Sequence, residues 1–239
     1  MKRENVKTSI FIPSIPKNFN NVFNIVDIYL NGTIKPDEII VNLSMFQQID
    51  PIIINNFVNK YHDKVMLNLI KERLYAGPNR QMAANLCSGD IILYQDDDDL
   101  PHKRRVEIVK KYFENDSKIL LLNHSFVLNN EKINNNFDKI KEVYSNELYN
   151  RYFPENKLTD CLKYTGAFGG GFNFPVHAGI VSIRKEVLQK IKWKGPNELL
   201  FAPHPRTKTE DYEFNMEALY YLKSHVVIDA PLYYYSGSH

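Results

Sequence analysis

A chain of 239 residues, 44% hydrophobic and 13% aromatic, can bury one sizeable core and is short for two, so a single domain over 1–239 is expected. Its 30 basic and 28 acidic residues leave a formal charge of +2 and are interspersed, which excludes the basic footprint of a nucleic-acid binder. No run of about 18 apolar residues is present to span a membrane, and residues 1–5 lead straight into a strand-like segment with no signal peptide, so a cytoplasmic chain or an excised domain is expected.

In chain order, Val6 to Ile12 reads as a strand that stops at Pro13-Ser14-Ile15-Pro16. Asn21 to Leu30 carries Phe23, Val26 and Leu30 at helical spacing and ends on Asn31-Gly32. Glu38 to Leu43 predicts a buried strand, Met45 to Tyr61 a helix interrupted by Pro51, and Lys64 to Leu69 a third strand. Pro78 suits the first turn of a helix whose Met82 and Leu86 share a face, and Cys87 beside it reads as a buried structural thiol. Gly89-Asp90 then turns the chain into the strand Ile91 to Tyr94. Strands alternating with helices call for a mostly parallel sheet flanked by helices, an α/β fold whose ligands bind beyond the carboxyl ends of the strands.

After residue 99, Pro101 is expected to open a helix with the stripe Val106, Val109, Phe113, and its Lys103, Arg104, Arg105, Lys110 and Lys111 read as a solvated face. Lys118 to Leu128 predicts a strand, and Asn129 to Asn136 a loop. Gly166 to Gly171 is too glycine-dense for a helix or strand and lacks Walker spacing, so it reads as a loop, near the cleft or simply on the surface. His177 precedes a strand over Ile180 to Ile183, Arg184 to Ile191 is amphipathic, and a helix with Phe214, Ala218, Leu219 and Leu222 on its core face follows Lys208-Thr209-Glu210-Asp211.

The chemistry concentrates in Asp96 to Asp99, which follow directly on Ile91-Ile92-Leu93-Tyr94. Two unit charges 4 Å apart repel by about 1 kcal/mol in water and about 4 kcal/mol near a protein surface, so four carboxylates at a strand end ask for a cation, and a divalent metal is the simplest one. Glu210 and Asp211, taken alone, need no function, because acids in a first helical turn complement the macrodipole. Arg80 reads either as a ligand for a diphosphate or base, or as a surface salt bridge. His177 and Trp193 each have a packing reading beside a sugar-pocket one.

Four segments together resemble the inverting, metal-dependent glycosyltransferases of the GT-A fold, and among them family 2. They are Ile10-Phe11-Ile12-Pro13-Ser14, then Ala76-Gly77-Pro78-Asn79-Arg80 through Ser88-Gly89-Asp90 to Asp99, then Lys208-Thr209-Glu210-Asp211-Tyr212, and last Asp229 to Tyr235 followed by His239. The resemblance implies a Rossmann-like single domain with a nucleotide-binding half, 1–99, and an acceptor-binding half, 100–239, that carries a smaller sheet. It implies Asp211 as catalytic base with Glu210 beside it. Pro13, Ser14, Ser44, Arg80, Asp96 and Asp97 are implied to hold the nucleotide, and Asp98, Asp96 and His239 a Mn2+ or Mg2+ ion. The donor implied is a nucleoside diphosphate sugar, most naturally a UDP-sugar, and the acceptor a glycan, protein or small-molecule hydroxyl.

Three departures stand out. Gln81 replaces the asparagine that commonly follows the helix arginine, His239 lies far from the tyrosine run as the final residue, and no Gln-x-x-Arg-Trp follows Asp211, which points away from a processive synthase. The chain ends directly after the last family element, as a trimmed piece with further domains beyond it would. Two other readings stand beside transfer: a sugar-1-phosphate nucleotidyltransferase, which would want a Gly- and Arg-rich loop where residues 13–21 have neither, and a non-catalytic calcium- or glycan-binding module.

Overall fold

The computed structural model describes residues 6–128, 132–133, 136–164, 178–200 and 210–236. The first half alternates as β1 (Thr8–Ser14), α1 (Phe19–Leu30), β2 (Glu38–Ser44), α2 (Pro51–Tyr61), β3 (Val65–Ile70), α3 (Ala76–Leu86) and β4 (Ile91–Tyr94). On β1, Ile10 and Ile12 join the apolar stripe of α1, whereas Phe11 joins Ala83 and Ala84 of α3 on the opposite face. That two-sided burial is what a parallel strand covered by helices requires.

The expected helix from Met45 to Tyr61 is two pieces. A 3-10 turn spans Phe46–Gln48, and α2 starts afresh at Pro51, with the Asp50 carboxylate accepting from the Ile52 N–H at 2.9 Å. Proline tolerates a first helical position because its missing N–H would have no partner there, but it cannot continue a preceding helix.

The second half supplies β5 (Leu100–Pro101), α4 (Arg105–Asn115), β6 (Leu121–Leu128), β7 (Glu142–Tyr144), α5 (Ser145–Tyr152), β8 (Val181–Arg184), α6 (Glu210–Leu222) and β9 (His225–Tyr235). Pro101 does not open α4. It pairs with Tyr233 in β5, the terminal strand of the sheet order, where a residue without an N–H costs no ladder bond.

The nine strands among the described residues form one mixed sheet in the order β3-β2-β1-β4-β8-β6-β9-β5, with β7 also on β9. The four on the β3 side are parallel, and β8 runs antiparallel to both β4 and β6. The strands after residue 99 thus continue the same sheet. Among the described residues no helix is long and apolar enough to cross a membrane. Cys87 and Cys161 are both free and buried, and burial pushes the Cys87 thiol up to about 12.

The solvated reading of the basic run fails at Arg105, which is fully buried. Its Nε donates to His124 Nε2 at 2.9 Å, Nη1 to Tyr29 Oη at 2.7 Å and Gln95 Oε1 at 3.1 Å, and Nη2 to the carbonyls of Tyr94 at 2.7 Å and Gly179 at 2.6 Å. All five guanidinium N–H groups are therefore used. A buried cation needs such complete satisfaction.

Candidate active site

The acidic turn leaves the carboxyl end of β4 and is wound around one amide. Gln95 Nε2 donates to the carbonyls of Asp96 at 2.8 Å and Asp99 at 3.0 Å, while its Oε1 accepts from Tyr29 and Arg105. Arg105 therefore supports the turn from behind. Its guanidinium also lies 5.4 Å from the ring centre of Tyr233, whose hydroxyl accepts the Asp96 N–H at 3.2 Å.

The four carboxylates do not share one environment. Asp97 turns inward and accepts from Ser14 Oγ at 2.8 Å, the Ile15 N–H at 3.2 Å and Asn18 Nδ2 at 3.0 Å. Burial nevertheless raises its pKa to about 6, against the lowering effect of Asn18 and Ser14. Asp99 is buried too and accepts the Ser236 N–H at 2.6 Å; burial, followed by the charge of Asp96, raises it to about 7. Asp96 and Asp98 are half-buried, and together with Asp97 they line a cavity of about 590 Å³. A plain solvated turn would leave the four equivalent, and they are not.

Glu210 and Asp211, the first two residues of α6, line the same cavity. Arg80 of α3 joins the two acidic groups: Nη2 lies 2.8 Å from Asp96 Oδ1, and Nη1 lies 2.6 Å from Asp211 Oδ1 and also pairs with Glu210. Burial works against the Arg80 charge, but Asp211, Asp96 and Glu210 outweigh it and hold its pKa well above the ordinary arginine value. Arg80 is thus an interior cation, and the surface salt-bridge reading is set aside. Its guanidinium also lies 5.2 Å from the Trp193 ring centre.

Pro13 and Ser14 line the cavity floor. Ser44 is fully buried at the end of β2, its Oγ has no hydrogen-bond partner, and it is not among the lining residues. Trp193 is buried and stacks on Phe214 with ring centres 4.1 Å apart, which is the packing reading. Gln81 turns away from the cavity, its Oε1 accepting the Trp193 N–H at 2.9 Å. His177, the glycine run 166–171 and His239 lie outside the described residues.

Sequence reasoning missed Arg105 and passed over Asn79, Tyr75 and Arg73, which also line the cavity. Asn79 is buried and accepts from Asn42 Nδ2 at 2.6 Å, and Asn42 faces Pro13 and Asn68 across the parallel strands. Asparagines interrupting two apolar strands were the available signal.

The repulsion among the aspartates has more than one remedy. Arg80 in front and the raised pKa values of Asp97 and Asp99 both relieve it, so repulsion alone does not demand a metal. Among the described residues no group of three or more His, Cys, Asp or Glu side chains is poised around a common metal position. The donor set still fits a small hard cation, since Mg2+-type ions are held by one or two carboxylates and complete their shell with substrate phosphates and water. Asp96 and Asp98 offer those two carboxylates at the cavity wall.

No curated protein sequence matches the chain. Among solved structures, TarS 1–349 of S. aureus superposes with a TM-score of 0.61 at 15% identity, covering 96% of this chain and 60% of TarS 1–349. The same fragment in complex with UDP-GlcNAc gives 0.62 at 16% identity, over 98% and 59%. Glucosyl-3-phosphoglycerate synthase from Mycobacterium tuberculosis, in complex with Mn2+, UDP and glucosyl-3-phosphoglycerate, gives 0.55 at 14% identity, over 95% and 70%. The chain thus spans about 60% of the TarS fragment, and likeness at such identities shows the fold. The family model for glycosyl transferase family 2 matches residues 12–181, more than half of the chain, and the protein belongs to that family.

Proposed function

We propose that this glycosyltransferase moves a sugar from a nucleoside diphosphate sugar, with UDP as the leaving group, to an acceptor hydroxyl, one sugar at a time and with inversion. The observation that carries this reading is the Arg80 bridge: the acidic turn and the Glu210–Asp211 pair share one cavity, held together by one guanidinium. The UDP-GlcNAc complex of TarS and the Mn2+ and UDP complex of the mycobacterial synthase support the choice of donor.

In this reading residues 1–99 hold the nucleotide, with Pro13 and Ser14 against the base side and Arg80 and Asp96 nearer the diphosphate. Asp96 and Asp98 would hold Mn2+ or Mg2+, with His239 as the further ligand that the family resemblance implies. When bound, such an ion offsets the charge that develops on the departing diphosphate.

Inversion needs a base on the face opposite the leaving group. Asp211 serves, but only after Arg80 lets go, because an ion-paired carboxylate is a poor proton acceptor. The diphosphate offers Arg80 a competing anion of matching fork geometry, so donor binding draws the guanidinium off Asp211. The freed carboxylate takes the acceptor's proton as its oxygen attacks the anomeric carbon, and Glu210 orients the acceptor.

A panel of nucleotide sugars with Mn2+, scored by release of the nucleoside diphosphate, tests the proposal. Turnover with one donor, lost in Asp211→Asn while donor binding persists, is the expected result. No turnover with any donor, or an Asp211→Asn protein as active as the wild type, would sink it.

A further inference from the structure

A second cavity, of about 270 Å³, opens beside the first, between the amino-terminal turn of α3 and the segment 194–199. Tyr75, Ala76 and Glu210 line both cavities, whereas Lys194, Pro196 and Leu199 line only the smaller one. The two hollows thus meet at Glu210, next to Asp211.

The walls of the smaller cavity are fixed from several sides. A Cβ on Gly77 would stand 1.9 Å from the Lys194 carbonyl oxygen, so α3 and the 194–199 segment touch backbone to backbone at that point. Lys194 Nζ is held 2.7 Å from Glu213 and 2.6 Å from Glu217, both of them buried acids of α6. The Glu198 carboxylate accepts the Gly195 N–H at 2.7 Å and shapes the turn. At the shared rim Tyr75 keeps 59% of its surface exposed, a large aromatic ring left open beside a cavity.

The lining combines an aromatic ring, three apolar side chains, one carboxylate and one ammonium, the composition of a small-molecule site. A Tyr face with Pro196 and Leu199 suits the C–H face of a pyranose, and Glu210 and Lys194 suit its hydroxyls. The charge balance selects further. Lys194 is the single cation among the described lining residues, and its charge is already met by Glu213 and Glu217; Glu210 shares the one Arg80 guanidinium with Asp96 and Asp211, Arg73 lies 5.8 Å from the Tyr75 ring centre, and the Glu198 carboxylate is close by. A phosphate or carboxylate entering here meets like charge.

The geometry points to this smaller cavity as the subsite for the acceptor's sugar ring, and to a neutral glycoside as the acceptor class, an assignment that rests on the sugar-transfer reading above. Its first wall is the start of α3, within the half of the chain otherwise given to the nucleotide, so acceptor and donor share a helix.

The test offers p-nitrophenyl glycosides of neutral sugars, with glucose 6-phosphate and 3-phosphoglycerate for comparison, as acceptors alongside the donor and Mn2+. UDP affinity is measured separately by calorimetry. Tyr75→Ala is expected to raise the acceptor KM about tenfold and Tyr75→Phe to restore it. Leu199→Trp fills the smaller cavity from a wall the donor does not touch, so it should raise the acceptor KM by a similar factor while UDP affinity changes less than about twofold. An unchanged acceptor KM in both Tyr75→Ala and Leu199→Trp, a parallel loss of UDP affinity in Leu199→Trp, a preference for the phosphorylated compounds, or donor hydrolysis with no neutral glycoside accepted each overturns the subsite alone. A wild-type protein that neither binds UDP nor turns over any donor overturns the sugar-transfer reading, and the subsite falls with it.

Discussion

Arg80 Nη1 and Asp211 Oδ1 lie 2.6 Å apart although 131 positions separate them in the chain. The pair fastens α3 to the first turn of α6, so a single side chain joins two walls of the cavity.

Replacing Arg80 by glutamine leaves Asp96, Glu210 and Asp211 facing one another without their common cation. Breaking a largely buried ion network costs about 3 kcal/mol, and Mn2+ is expected to recover part of it by taking the vacated position. Thermal denaturation of Arg80→Gln with and without MnCl2 checks this: a lower melting temperature than wild type and a larger upward shift with metal are expected. A metal response no greater than that of the wild type would refute the competition between Arg80 and a cation.

Arg105→Lys keeps the charge and discards the fork. Lysine has three donors against the five that His124, Tyr29, Gln95, Tyr94 and Gly179 receive. The acceptors left unmatched in the interior are expected to cost about 3–5 kcal/mol, read as a lower urea midpoint. A midpoint equal to that of the wild type would mean the network is slack.

Gly77→Ala drives a methyl group to within 1.9 Å of the Lys194 carbonyl oxygen. Main chain cannot yield as a flexible side chain does, so a loss of about 1–3 kcal/mol is expected. Trp193, the chain's only tryptophan, is the residue before Lys194 and reports the movement: its emission should shift to the red in the variant. Identical emission and stability would show the contact to be relaxed.

His225 sets an acid limit. It is fully buried, Nε2 faces the Asn123 side-chain oxygen, and Nδ1 has no hydrogen-bond partner. Burial lowers its pKa from 6.5 to about 3. As pH falls below 6.5 the unfolded chain takes up this proton first, so the stability that neutral His225 provides above pH 6.5 is lost progressively down to about pH 3. The slope is about 1.4 kcal/mol per pH unit. Urea denaturation from pH 7 to pH 4 should show a shallower decline in His225→Gln than in wild type, and parallel curves would count against the assignment.

Much of this was legible in the residues. Apolar runs bounded by Pro, Gly and Asn located β1 to β4 and the helices between them, because two-sided burial leaves little choice of composition there. The acidic turn and the Glu210–Asp211 pair were conspicuous by charge, although nothing local told that Asp97 and Asp99 turn inward. Arg105 was hidden among four other basic residues, since the one that points inward is chosen by where α4 meets β4 and β6. β7 and α5 escaped because three strand residues, and a helix with only Leu148 and Tyr152 buried, carry too little periodicity. In β9, Asp229 and Pro231 break the pattern, and the sheet absorbs them through irregular register with β6 after His124.

β9 is the last of the described strands in sequence, yet it lies between β6 and β5, and it lends the Tyr233 hydroxyl to the Asp96 N–H and leads to the Ser236 N–H on Asp99. On a ribosome, the segment bearing the aspartates is made more than a hundred residues before the strand that underpins it. The turn can take its final shape only once that strand has been made, and closing so long a loop is entropically slow. An amino-terminal fragment ending before His225 would carry every aspartate of the turn and still lack its floor.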